Sequence, residues 1–202
     1  HTRSLCDWSS DVCSSDLGVQ SKSIGVTPWS KTTVFIMGGA HTGKNFYIEY
    51  DLDSDEIVRT INETDEASYA TYEVYNNTIY AMPNVISLTG SKKILEIKSD
   101  SYSHVGDELP GNFSVNDSHL DGFYIHLVGK GSAEVSVYNV FNIITGKIFV
   151  LDRGDPSEYF RVEQIGELIY AIPGVTNEHL MLVTEHITHT FVPVKVLALK
   201  TS

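Results

Sequence analysis

Cysteine is almost missing from this chain. Its two copies in 202 residues, Cys6 and Cys13, both fall within the opening "HTRSLCDWSSDVCSSDL", residues 1–17. From residue 18 onward there is none, which excludes a disulfide framework and a thiolate metal site there. That leaves the compartment open, leaning to an extracytoplasmic one. Basic residues are scarce as well: 14 Lys+Arg stand against 26 Asp+Glu, a net charge of −12. Without a basic stripe, nucleic acid and anionic membrane surfaces are poor partners. No apolar run approaches the roughly 18 residues of a membrane span. No stretch shows a sustained helical period with capping signals. What remains is a chain with 42% hydrophobic residues, of a length suited to one folded domain.

The opening segment does not read as part of that domain. It lacks the apolar core of a secretory signal, and cysteines seven apart do not match the close pairing of common zinc sites. Its residues back-translate in order into DNA that resembles a common short-read sequencing adapter. Residues 1–17 are therefore set aside as a non-native, disordered scar, and the native part is expected to begin near Gly18 and to be truncated. Without Arg3, Asp7, Asp11 and Asp16 the net charge is −10.

An internal repeat organises the rest. "VFIMGG" (34–39), "IYAMPN" (79–84), "FYIHLV" (123–128) and "IYAIPG" (169–174) carry aromatic second residues Phe35, Tyr80, Tyr124 and Tyr170, spaced 45, 44 and 46 apart. A second landmark keeps the period: "YDLDSDEI" (50–57), "LEIKSDSY" (95–102) and "FNIITGKI" (141–148). Each has apolar or aromatic first and third residues and turn formers at the fifth and sixth. The runs are rich in β-branched and aromatic residues, as strands are. Before "IYAMPN", the pair Asn76–Asn77 suits the positive φ of a tight hairpin. "FSVNDSHLDG" and "FRVEQIGE" stand at the equivalent place in the next two units. Each unit then reads as four antiparallel strands.

Four strands per 40–50 residues in tandem is the pattern of a propeller blade, because lone blades bury their faces only against one another. The fold expected is all-β: a β-propeller of four-stranded antiparallel blades, about four of them in a partial ring. The blade units run over roughly 25–65, 70–108, 111–153 and 158–202. The first unit resembles a kelch blade, with its Gly38–Gly39 pair and "YDL" strand. "FNIITGKI" resembles the turns of quinoprotein-type propeller repeats. The oxidase relatives of kelch propellers use a cysteine-modified tyrosine and copper, which a chain without native cysteine does not supply.

Short motifs are weaker. "GGAHTGKN" (38–45) matches the core of a phosphate loop, but Asn45 follows Lys44 where Ser or Thr would hold magnesium, and a strand follows instead of a helix. "DLDSDE" (51–56) opens like a calcium loop, yet Glu56 replaces the sixth-position glycine and Asn62 the twelfth-position Glu; the repeat makes it a hairpin. His186 and His189 of "HITH" would diverge on a strand. "RGD" (153–155) is a three-residue match beside ordinary turn chemistry. N-x-S/T sites occur at Asn62, Asn76, Asn112 and Asn116, of which Asn62 and Asn112 are expected in loops.

No nucleophile–His–acid constellation declares itself, so no catalytic residue, metal site or cofactor is assigned. Function is expected on loops held by the scaffold. The candidates lie in connections joining second to third strands and fourth strands to the next unit: His41, Lys44, Asp107, Glu108, Asp152, Arg153 and Asp155. The leading expectation is a non-catalytic scaffold that binds a protein or glycan partner. The alternative is a fragment of a glycan-processing hydrolase, lyase or epimerase, marked by carboxylates and histidines converging on a central channel with shifted pKa values. A purely structural segment of a larger surface protein is a third reading. The missing blades of its own longer chain are an expected partner.

Overall fold

The computed structural model describes residues 23–38, 45–63, 68–84, 91–111, 113–131, 137–152, 158–166, 168–173, 180–185 and 193–198. These residues form strands and turns, with no helix among them. The chain divides into two compact units, residues 1–67 and 68–202.

The first unit is one antiparallel meander of Ser23–Pro28 (β1), Thr33–Gly38 (β2), Asn45–Asp51 (β3) and Glu56–Glu63 (β4), in that order. Alternation puts Phe35 and Tyr47 on one face and Ile36 and Ile48 on the other, and all four are buried. Phe35 lies between Trp29 and Tyr47, at centroid distances of 5.9 and 6.0 Å. The "DLDSDE" segment is the expected hairpin: Asp51 Oδ1 accepts the backbone N–H groups of Asp53 (2.8 Å) and Ser54 (3.1 Å). Asp55 closes the turn at φ 60°. Asn62 departs from expectation, since it lies in β4 opposite Phe46 and not in a loop. The polar run "NETDE" suggested an earlier end, but β4 continues as far as β3 offers a partner.

The second unit holds three such meanders. Ser68–Tyr75 (β5), Thr78–Asn84 (β6), Ile94–Ile97 (β7) and Tyr102–Val105 (β8) form the first. Ser114–Asp121 (β9), Tyr124–Lys130 (β10), Tyr138–Asn142 (β11) and Lys147–Asp152 (β12) form the second, joined to the first at Asn84↔Ser114. Tyr159–Ile165 (β13), Leu168–Pro173 (β14), Leu180–Glu185 (β15) and Pro193–Ala198 (β16) form the third. The hairpin at Asn76–Asn77 is as expected, with φ of 47° and 55°.

The middle sheet is buried on both faces, as the unbroken burial of β10 from Tyr124 to Gly129 requires. On one side Ile125, Leu127 and Phe141 meet Tyr80, Met82 and Ile94 of the preceding sheet. On the other, Tyr124, Val128 and Tyr138 meet Tyr159, Val162 and Ile169 of the following one. Within residues 68–202 the period of about 45 residues is therefore a stacking period: each repeat there supplies one layer, and apolar burial between layers holds the stack.

One regularity went unseen in the sequence. In all four first strands one residue is extra relative to the second strand: Ile24, Ala70, Asn116 and Phe160. A bulge of this kind puts two consecutive side chains on the same side and bends the strand.

Candidate functional site

The polar groups of the second unit gather where its three first strands lie beside one another. Here the bulges decide which way side chains point. In β9 the extra residue turns both Asn116 and Asp117 toward β13. Asn116 Nδ2 donates to Tyr159 O (2.8 Å) and Glu158 Oε1 (3.1 Å), and Asp117 Oδ2 accepts from Val162 N–H (3.0 Å). Two residues on, His119 Nε2 is 3.2 Å from Gln164 Oε1. On the opposite side of β9, Ser118 donates to Glu73 Oε1 of β5 at 2.7 Å and also bonds Thr71 Oγ1. The result is a seam of carboxylate, hydroxyl, imidazole and amide groups across β5, β9 and β13. Each of its side chains keeps part of its surface exposed.

Glu73 is the electrostatically distinctive member. Burial pushes its carboxyl above the ordinary value of 4.5, and the negative charge of Asp117 adds to the rise. The hydrogen bond from Ser118, the attraction of His119 and the backbone N–H of Leu120 oppose it without cancelling it. Beside the seam, Tyr69 OH lies 3.0 Å from His104 Nε2. Tyr80 OH donates to Glu96 (3.2 Å); burial, then the Glu96 charge, raises the phenol further above its usual range.

A second polar group is sealed inside. His126, fully buried, places Nδ1 2.8 Å from Tyr138 OH and Nε2 4.0 Å from Asp121 Oδ2. Its burial gives no ligand access, so its part is structural. Among the described residues no three His, Cys, Asp or Glu side chains are grouped to hold a metal.

The loop candidates fare differently. His41, Lys44, Arg153 and Asp155 lie outside the described residues, as do the "HITH" histidines and Asn112; Asp152 is described only as backbone at the end of β12. Glu108 is exposed. Asp107 serves the fold: its N–H donates to Gly146 O (2.8 Å), and its carboxylate takes Lys147 Nζ (3.2 Å) and Ile148 N–H (3.4 Å). It thereby clasps the β11–β12 hairpin to the connection after β8, and it is not brought together with any other loop candidate described. Of the sequons, Asn76 stands exposed in its turn, whereas the Asn116 amide is committed to β13.

Sequence reasoning passed over Glu73, Ser118, His119 and Gln164. A signal was there: Glu73 and Ser118 are 45 residues apart, as are His119 and Gln164, which is the repeat period itself. Polar residues in the middle of first strands, at that spacing, pointed to contacts between layers.

No family model matches the chain, and no curated protein matches it. Solved structures do. The computationally designed Ika4 protein matches with a TM-score of 0.57 at 14% identity, over 82% of this chain and 92% of that one. The designed Ika8 protein gives 0.58 at 14% identity, over 85% and 48%. A protein assigned as a 6-phosphogluconolactonase from Bacteroides uniformis gives 0.58 at 9%, over 89% and 58%. The likeness is one of fold. The chain spans roughly half the length of the last two, and at such identities no activity passes from them.

Proposed function

We propose that this chain is a β-propeller binding scaffold whose four-stranded sheets are blades, and that the seam across β5, β9 and β13 takes a neutral glycan. The observation supporting this reading is the seam's composition. Glu73, Ser118, His119, Gln164 and Asn116 are planar or hydroxylic donors and acceptors held on strands, which suits bidentate recognition of sugar hydroxyls. Tyr75, on the same side of β5 as Glu73 and only partly buried, adds aromatic surface beside them. The carboxyl groups of Glu73, Asp117 and Glu158 around the seam, in a chain of net charge −12, favour an uncharged ligand over an anionic one. The kelch-like character of the first unit belongs to the same proposal.

A second reading, an enzyme acting on glycans at the same seam, is supported by one feature: a carboxyl with a raised pKa near an imidazole and a hydroxyl. Titration calorimetry of the full chain against neutral and anionic oligosaccharides tests the first reading. Binding of a neutral oligosaccharide weakened at least tenfold by Gln164→Ala supports it, and binding unaltered by that change contradicts it. Turnover of the bound glycan, lost in Glu73→Gln, would favour the second.

A further inference from the structure

We propose that the side of the β13–β16 sheet carrying Phe160, Arg161, Glu163 and Ile172 docks a four-stranded sheet from a second copy of this chain. The argument runs through positions made equivalent by the bulges. In the first two sheets of this unit the first strand presents a forward side made of the bulge residue and those one, three and five beyond it. For β5 these are Ala70, Thr71, Glu73 and Tyr75. Thr71 and Glu73 reach Ser118 in the next layer, while Ala70 and Tyr75 pack into the apolar cluster there. For β9 the bulge residue and the next two, Asn116, Asp117 and His119, reach β13.

On the second strands the forward positions opposite these are Tyr80 and Met82, then His126 and Val128, all at most 6% exposed beneath the following layer. Their equivalents on β14 are Tyr170 and Ile172, and on β13 Phe160, Arg161, Glu163 and Ile165. Here the pattern is the same and these side chains stand open among the described residues: Phe160 is 54% exposed, Ile165 65% and Ile172 40%. Arg161 and Glu163 bond each other at 2.7 Å in place of a facing strand.

The occupant follows from this layout. Twice within this chain the same arrangement receives the first and second strands of a four-stranded antiparallel sheet, so a third contact of that kind continues an interface already in the molecule. Sheets of that form are what another copy of the chain carries. The forward and receiving sides differ, which makes the contact head-to-tail. The inference is independent of the glycan reading.

Sedimentation velocity of the full chain over a wide concentration range tests it. The expected result is concentration-dependent self-association, shifted at least tenfold to higher concentration by Ile172→Asp. Ile144→Asp, which alters an equally apolar side chain exposed in the turn after β11, should leave it unchanged. Arg161→Glu, at a side chain 66% exposed, gives the same reading should Ile172→Asp lose its far-UV circular dichroism. A wild-type chain that stays monomeric throughout overturns the proposal, as does association that Ile172→Asp or Arg161→Glu weakens no more than Ile144→Asp does.

Discussion

At the scale of single residues, the repeat is written in turns. The second residue of "YDLDSDEI" and of "FNIITGKI" plays one role. Asp51 Oδ1 takes two backbone N–H groups after β3, and Asn142 Oδ1 takes those of Ile144 and Thr145, both at 2.9 Å, after β11. The third residue of each, Leu52 and Ile143, donates its N–H to the preceding hairpin, at Thr32 O and Phe123 O. The sixth, Asp55 and Gly146, takes the left-handed conformation. Such a side-chain cap is worth about 1 kcal/mol. Asn142→Ala should lower unfolding stability in urea by about that amount, and Asn142→Asp should retain most of it, since the first unit already uses Asp. The turn formers were legible because Ser, Asp, Thr and Gly cluster there. The capping role was not, because "LEIKSDSY" carries Glu96 at that place and pairs it instead with Lys98 at 2.7 Å.

Glycines separate two kinds of constraint. At Gly166 (φ +65°) a Cβ would meet nothing within 4 Å, so Gly166→Ala should cost only the backbone strain, about 1–2 kcal/mol. At Gly129 a Cβ would lie 1.9 Å from Ser114 O, on the backbone of the paired strand. Gly129→Ala should therefore be the more destabilising of the two, and chemical denaturation of both variants side by side checks the order.

At the scale of elements, strands were legible and their sidedness only partly so. Alternation and β-branched content mark β2, β6, β10 and β14 at a fixed period. A bulge, by contrast, adds one residue to a strand of six to eight and leaves no compositional trace. The bulges of β5 and β9 turn polar side chains toward the next layer, which is why the polar seam lies on strands. Glu73 gives this a pH signature. Its folded carboxyl binds a proton more readily than the unfolded one, so its contribution to stability is fully present below about pH 4.5 and is lost as pH rises through the elevated folded value. Glu73→Gln should flatten the decline in stability over that window. An unchanged pH profile in the variant would show that the burial of Glu73 has no energetic consequence.

At the scale of the residue 68–202 unit, stability rests on two apolar layers on either side of the middle sheet. Phe141, 1% exposed, packs in the first of them, and Phe141→Ala should cost about 3–5 kcal/mol, enough to threaten a marginally stable fold. The layers were legible as a period, but their order of contact depends on which side of each strand faces forward, and that was fixed only by the bulges. NMR titration of the isotope-labelled full chain with a neutral oligosaccharide tests directly whether the seam on the first strands binds a glycan. Glycan binding at the seam predicts amide shift changes concentrated at Glu73, Ser118, His119 and Gln164. Changes confined to the loop around Glu108, with those four residues unmoved, would contradict it.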